Sequence, residues 1–439
     1  MATRVTAALA LLVAFGIAWL AITAPFAARL LQAIIVVSMA YVAWLAWKGW
    51  RVMRFVLADA TGPGVEGDRP RPFVSLVVPA RNEAGGVAGT VRALADMRYA
   101  GADGVPRYEL VVVDDGSTDA TGPEATAAAA GQTHIRVRRR EPGGGPRTKG
   151  AVLAWAMPEL HGDVIGAIDA DTRVDTTFLD LVMRAWARDP DAAALQVARR
   201  CRNSATSWLT RAQEEEQLMD MTSQCGRWAT DGTAELRGNG MFVRRTALEG
   251  VGGWGERALT EDLELSTRLA AAGHRVTLAP EVAVNEEAVE SLGALWRQRM
   301  RWAEGSLRRL LEHGPGLVVG PQPLGRKLDF LAFASEFAVP PLFAAAVVAS
   351  LLTIPLPGAA DWTVPASLAL AYGVGILALA LAGLHASGER GAALIGRGLR
   401  GSLFLMHWLV VVPVVLVRIA FGPETTGFDQ TPRFIGDEG

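Results

Sequence analysis

Val164-Ile165-Gly166-Ala167-Ile168-Asp169-Ala170-Asp171 is an apolar run that stops abruptly at two carboxylates. A short apolar run bounded by turn residues predicts a strand buried on both faces, here over Val164–Asp169. Similar runs to either side predict strands over Phe73–Val78, Glu109–Asp114, Ile135–Arg138 and Ala193–Val197. The longer Ala/Leu-rich stretches predict helices over Gly89–Met97, Gly150–Met157, Thr177–Arg188 and Ser207–Cys225. Continuous apolar strands separated by helices imply an α/β fold with a mostly parallel sheet covered on both faces. Ligands of such sheets bind beyond the carboxyl ends of the strands, so the residues just after each strand are the candidate site.

Beyond this region the charge pattern changes. Residues 1–50 carry three charged side chains, 51–327 carry 72, 328–421 carry eight and the last 18 carry five. The middle has the charge density of a soluble globular domain and both flanks are nearly charge-free. That excludes a purely soluble enzyme, and it excludes a transporter built of spans throughout. A net charge of −2 gives no footprint for nucleic acid. Cys201 and Cys225 are too few for a disulfide framework and are expected to be reduced.

Ala7 to Ala24 and Leu30 to Trp47 are each long enough to cross about 30 Å of hydrocarbon as a helix. The first run has too long an apolar core, and too little charge before it (Arg4), for a cleaved leader. Three more spans are expected near 330–354, 363–385 and 401–421, with Ser335, Glu336, Pro340 and Pro341 interrupting the first of these. The expected organisation is therefore two N-terminal spans over 1–50, a linker over 51–72 and a catalytic domain over 73–312. A second linker over 313–328, about three spanning or re-entrant segments over 329–421 and a tail over 422–439 follow. Lys48, Arg51 and Arg54 follow the second span, and Arg390, Arg397 and Arg400 lie between the fourth and fifth. The 355–362 link carries only Asp361, so the middle domain is expected on the cytoplasmic side of the cell membrane.

The strand-end segments carry the chemistry. The first strand is followed by Pro79-Ala80-Arg81-Asn82-Glu83 and the second by Asp114-Asp115-Gly116-Ser117-Thr118-Asp119. Taken alone, each reads equally as turn and N-cap chemistry. Asp169 and Asp171, alternating out of a strand, would point to the same side and approach one divalent ion with diphosphate oxygens; alone they also read as a solvated acidic turn. Only three of the 43 basic residues are lysines, which singles out Lys149 within the domain.

Together with Thr260-Glu261-Asp262 and Gln298-Arg299-Met300-Arg301-Trp302, these motifs resemble membrane-embedded family 2 glycosyltransferases from about Val74 to Leu310. The resemblance implies a GT-A fold, a UDP-sugar donor and Mg²⁺ or Mn²⁺. It implies that Ala80, Glu83 and Asp115 hold the nucleoside, that Lys149 approaches the phosphates, and that Asp169 and Asp171 hold the metal and the sugar–phosphate. Asp262 is the implied general base, placed in the first turn of a helix running to Ala272 and ended by Gly273. Gln298, Arg301 and Trp302 share a helix side at i, i+3 and i+4. The family places that face at the acceptor and diphosphate end, with Trp302, Gln298, Glu261 and Asn239 toward the acceptor and Arg301 and Arg299 toward the diphosphate. The same helix also reads as an amphipathic interfacial segment.

Glu235-Leu236-Arg237-Gly238-Asn239-Gly240-Met241-Phe242-Val243-Arg244-Arg245, Asn285-Glu286-Glu287-Ala288-Val289 and Arg301-Trp302-Ala303-Glu304-Gly305 are more similar to bacterial β-monoglucosyldiacylglycerol synthases than to processive β-glycan synthases. The expected product is a β-glycoside of a membrane lipid such as diacylglycerol, made with inversion. The alternative is a growing glycan of the poly-N-acetylglucosamine, cellulose or hyaluronan kind. Phe428-Asp429-Gln430-Thr431-Pro432-Arg433 resembles the Trp-x-Lys-Thr-x-Arg ending of some members, with Phe and Gln in place of Trp and Lys, and is given no role.

Overall fold

The computed structural model describes residues 2–59, 71–141, 143, 145–320, 322–354 and 362–423. The 428–433 motif, Asp361 and residues 60–70 of the 51–72 stretch lie outside these residues. The chain divides into two compact units, one from residues 55–217 and 233–294, the other from 1–54, 218–232 and 295–426.

The first unit is built on a seven-stranded sheet: β1 (Val74–Ala80), β2 (Tyr108–Asp114), β3 (Ile135–Arg139), β4 (Val164–Ala167), β5 (Ala194–Cys201), β6 (Met241–Arg244) and β7 (Val276–Glu286). Their spatial order is β3-β2-β1-β4-β6-β5-β7. Neighbours are parallel except at β6, which runs antiparallel to both β4 and β5. The alternation of the pleat sorts the apolar residues onto two faces. Val74, Leu76, Val78, Leu110 and Val112 pack against the helices Val87–Ala95 and Phe178–Trp186. Val77, Val111, Val113, Ile165 and Ala167 pack against Lys149–Ala156 and Glu261–Ala271. The predicted α/β class holds. The sequence reading missed β6 and β7, because β6 is a four-residue strand following a glycine-rich loop and β7 carries Pro280 and Glu281 in its middle.

One boundary matters chemically. β4 ends at Ala167, not at Asp169, so Asp169-Ala170-Asp171 is a turn, in which Thr172 N–H donates to the Asp169 carbonyl at 3.2 Å. Strand alternation therefore does not aim the two carboxylates to one side.

The second unit is helical. Among the described residues five helical stretches are long and apolar enough to cross a membrane: Thr3–Thr23, Pro25–Asp59, Leu324–Thr353, Thr363–Ala386 and Gly391–Phe421. The third stretch breaks between Glu336 and Val339, as the proline pair predicts, and the fifth breaks between Leu405 and Trp408. Small residues let the second of these stretches meet the helix Trp208–Trp228, which is not among the five, at backbone distance. A side chain on Gly49 would lie 2.1 Å from the Thr222 carbonyl oxygen, and one on Gly226 would lie 2.4 Å from that of Leu45. A buried ion pair, Arg227 Nε to Asp329 Oδ2 at 3.2 Å, is completed by Tyr41, whose hydroxyl donates to Asp329 Oδ1 at 2.9 Å.

Gly240 makes β6 possible. Its φ is +67°, and a Cβ there would stand 2.4 Å from Val197 Cγ2 on β5. Gly240→Ala is expected to cost about 2–4 kcal/mol, from the left-handed backbone and the overpacked contact. Gly250, with no atom within 4 Å of its would-be Cβ, is the control. Thermal melts of the two Ala variants should separate by many degrees, and equal melting temperatures would refute the account.

Candidate active site

The loops after β1 and β2 are sewn together. Asn82, with φ +49°, receives the Thr118 N–H on its Oδ1 at 2.9 Å and donates its own N–H to Ser117 Oγ at 3.0 Å. Glu83 N–H donates to Thr121 Oγ1 at 2.7 Å, and Asp115 N–H donates to the Ala80 carbonyl at 2.9 Å. Asp114 is consumed in this framework: it accepts from Ser117 N–H and pairs with Arg139 at 2.6 Å. Asp115 faces a cleft lined by Arg81, Gly116, Arg140 and Arg147, and Arg140 Nε donates to it at 2.6 Å. Ala80, Glu83 and Asp115 thus gather at one end of the sheet, although the Ala80 carbonyl is occupied by the chain itself.

Lys149 opens the helix Lys149–Ala156, whose N-cap Thr148 accepts from Ala151 N–H at 3.1 Å. The cap fixes the first turn and sends Lys149 Nζ to Asp169 Oδ1 (2.5 Å), the Gly238 carbonyl (2.7 Å) and Glu261 Oε1 (3.7 Å). Burial alone would lower the lysine pKa. Asp169, Glu261 and Asp262 outweigh it and hold the ammonium above its ordinary value. Asp262 is half-buried in the first turn of Glu261–Ala271. Burial raises its pKa above the usual carboxylate value, opposed by the Leu263 N–H and by the charges of Lys149, Arg237 and Arg199. Burial likewise raises Glu261, with Lys149 opposing and Asp262 adding to the shift. Glu261 is therefore a buried partner of Lys149 rather than the acceptor contact the sequence suggested.

Gly238 keeps the space between Lys149 and Asp262 open. It has φ +78°, and a Cβ there would lie 3.2 Å from Asp262 Oδ2 and 3.9 Å from Lys149 Nζ. Any side chain at this position would fill the gap that a substrate must enter.

Asn239, also expected at the acceptor, is only 1% exposed. Its Oδ1 accepts from Asp169 N–H at 3.1 Å, and its Nδ2 donates to Glu286 Oε2 at 2.8 Å and to Thr172 Oγ1 at 3.0 Å. Its amide positions the Asp169 turn and has nothing left for an acceptor. Gln196 fixes the same loop from β5, with Oε1 accepting from Arg237 N–H at 2.7 Å and Nε2 donating to the Asn239 carbonyl at 2.8 Å. Asp171 is buried, and its Oδ2 accepts from Glu287 N–H at 3.2 Å. Burial raises the Glu286 pKa, with Asp171 and Asp169 adding and Arg199 and Asn239 opposing.

This arrangement matches a known family. A model described as "Glycosyltransferase like family 2" covers residues 70–305. The chain belongs to glycosyltransferase family 2. A β-monoglucosyldiacylglycerol synthase from a Synechocystis species is 33% identical over 369 residues, covering 82% of this chain and 75% of the relative. A poly-β-1,6-N-acetyl-D-glucosamine synthase from Staphylococcus aureus is 26% identical over 240 residues, covering 54% of this chain and 55% of the relative. A mannosyltransferase from Pyrobaculum calidifontis, solved with GDP-Man and Mn²⁺, has the same fold at a TM-score of 0.60 and 22% identity, covering 90% of this chain and 100% of that one. The expected GT-A fold and hexosyltransferase class are confirmed.

This glycosyltransferase keeps the remaining expected site residues in its helical unit, on the helix Leu292–Val319. Gln298, Arg301 and Trp302 are half-buried there. Arg299, between them in sequence, is 2% exposed and packs against two of them. Its guanidinium lies 4.2 Å over the Trp302 ring and 6.0 Å from the Phe404 ring, and it donates to Gln298 Oε1 at 2.8 Å. Arg299, expected toward the diphosphate, is buried within the helical unit with its guanidinium engaged by Trp302, one turn on, and by Gln298.

The donors present fit a divalent cation. Among the described residues no three acidic, His or Cys side chains form a cage. Two carboxylates on one turn, with Glu286 crowded by both, suit a Mg²⁺-like ion that takes its other ligands from water and phosphate oxygens. Gln196, Arg199, Gly238 and Glu286 were missed as site residues. Gly238 and Glu286 stood in runs read only as a family likeness, and Gln196 and Arg199 lie on β5 without a motif of their own.

Asn239→Leu strands both the Asp169 N–H and the Glu286 carboxylate. It should cost about 1–3 kcal/mol and lower the melting temperature. It should also slow sugar transfer far more than it weakens nucleotide binding, and an active, normally stable variant would contradict the positioning role.

Proposed function

We propose that this family 2 enzyme transfers glucose from UDP-glucose to diacylglycerol, with inversion, to give a β-linked monoglucosyl lipid. The observation that carries the acceptor is the reach of the likeness. Similarity to the lipid-glucosylating relative runs over 82% of the chain, far beyond the family-matched region at 70–305, while that to the polymer-forming relative spans 54%. An apolar acceptor reaches the enzyme from the membrane, so likeness that extends into the apolar flanks favours the lipid acceptor.

In this reading the nucleoside lies in the cleft at Asp115, with Glu83 on the adjoining loop. The acceptor hydroxyl oxygen bonds to the anomeric carbon as the bond from that carbon to the UDP oxygen breaks, and UDP leaves with the electron pair. Asp262 takes the hydroxyl proton. Its position beside Gly238 and Lys149 supports this role, and the charges of Lys149, Arg237 and Arg199 favour the ionised form that accepts a proton. Lys149, charged at every physiological pH, stabilises the negative charge that gathers on the departing diphosphate. Asp169 and Asp171 would hold Mg²⁺ or Mn²⁺, which when bound neutralises the same charge. On Leu292–Val319, Trp302 and Gln298 serve the acceptor and Arg301 the diphosphate. The enzyme sits in the cell membrane as a multi-pass protein with the catalytic unit in the cytoplasm, in line with the cations that follow the second and fourth spans.

Purified protein with radiolabelled UDP-glucose, Mg²⁺ and diacylglycerol should yield one chloroform-soluble glycolipid and none after chelation. A ladder or a high-mass polymer would establish the polysaccharide alternative instead. Asp262→Asn should reduce turnover by about 10²–10⁴-fold with UDP binding intact.

The pH profile tests the base separately. Because burial raises Asp262, the acid limb should lie above the ordinary carboxylate value of about 3.9, with activity falling as pH drops through it. Arg237 lowers that pKa, so Arg237→Gln should move the limb upward by roughly a few tenths to one unit. A limb that stays put or moves down would exclude Asp262 as the titrating base.

A further inference from the structure

The apolar run of the second span ends at Trp47, and the helix Pro25–Asp59 continues through Lys48, Arg51 and Arg54 with no acidic residue before Asp59. Trp44, Trp47, Lys48 and Arg51 stand at i, i+3, i+4 and i+7, on one face of that helix. The two indoles are 42% and 47% exposed. Each cation rides on an indole: Lys48 Nζ lies 5.7 Å and 5.6 Å from the Trp44 and Trp47 rings, the Arg51 guanidinium 5.0 Å from Trp47, and that of Arg54 5.4 Å from Trp50.

The same end of the helical unit gathers more charge. Trp50 Nε1 donates to His385 Nδ1 at 2.9 Å, tying the second span to the end of Thr363–Ala386. The next helix, Gly391–Leu405, returns along that span, since a Cβ on Gly398 would lie 2.8 Å from Leu381. Arg390 lies at this end, donating to the His385 carbonyl at 2.7 Å, Arg397 pairs there with Glu389, and the helix presents an outward apolar row of Ile395, Leu399 and Leu403.

Cations scattered at a span end would only set topology. Here they are stacked on exposed indoles, with charge, aromatic and aliphatic groups in the order that a lipid presents phosphate, glycerol and acyl chain. From Lys48 to Arg54 the helix rises on the order of 9 Å, comparable to the thickness of one headgroup layer. We propose that this face binds anionic phospholipid, the cations taking headgroup phosphate and the indoles lying at the acyl boundary. The proposal is independent of which sugar or acceptor the enzyme uses.

Full-length protein is reconstituted in phosphatidylcholine vesicles, and tryptophan quenching by bromine-tailed phosphatidylglycerol is compared with quenching by bromine-tailed phosphatidylcholine. Wild type should prefer phosphatidylglycerol about tenfold or more at low salt, and less as salt rises. Each cation near an anionic surface is worth about five-fold, so Arg51→Gln should lower the preference by about that factor and Lys48→Gln/Arg51→Gln/Arg54→Gln should abolish it. Arg51→Lys/Arg54→Lys should retain it. The single Arg51 variant keeps the test decisive if the triple variant fails to fold. Equal quenching by the two lipids in wild type overturns the proposal, as does a preference that survives in the triple variant. Competition by soluble glycerol phosphate would mark a free-phosphate site and overturn it as well.

Discussion

One ammonium organises the catalytic unit. Lys149 Nζ lies between Asp169, Glu261 and the Gly238 carbonyl, with Asp262 close by, and burial raises the cost of every charge in the group. The three carboxylates stand on two separate chain segments that would repel one another at these separations. A lysine held at the start of a capped helix makes their approach possible, and that approach is what places the Asp169 turn beside Asp262. The rest of the domain serves to deliver these residues: β4 brings the Asp169 turn, the Glu261–Ala271 helix brings the two acids, and the glycines flanking Asn239 let a loop pass between them.

The same region shows how a binding site is kept both rigid and open. Rigidity comes from amides. Gln196 and Asn239 are buried with their hydrogen-bonding atoms engaged, so the Asp169 turn and the Gly238 loop have a single arrangement. Openness comes from Gly238, where a single added carbon would crowd Asp262 Oδ2. In the helical unit the balance differs: glycines at 49 and 226 close the gaps between helices, and a buried Arg227–Asp329–Tyr41 group joins three chain segments.

Much of the fold was legible in the chain because parallel strands buried on both faces leave a plain signature of apolar runs. β1, β2 and β3 were read to within two residues. β6 and β7 were not, since their pairing comes from far along the chain and their own sequences carry glycine, proline and a charge. Asp115, Lys149, Asp169, Asp171 and Asp262 were read as strand-end and helix-start chemistry joined to a family likeness, and the structure brings Lys149, Asp169 and Asp262 together. Asn239 and Glu261 were recognised as belonging to the site but were given the wrong partners, because burial cannot be read from residue type. The burial of Arg299 against Trp302 and Phe404 was likewise not legible, because Phe404 is brought to it from more than a hundred residues away.

By itself, the sequence determined that a charged nucleotide-sugar domain is carried between apolar flanks, and which strand ends bear its carboxylates. Hydropathy and periodicity are local properties, and they survive in a linear reading. The tertiary structure decided which carboxylate meets Lys149, that Asp169 and Asp171 leave a turn rather than a strand, and that an asparagine holds that turn instead of a substrate. Those outcomes depend on contacts such as Asp169 with Asn239, 70 positions apart, whose energies come from burial and hydrogen-bond geometry that exist only once the chain has folded.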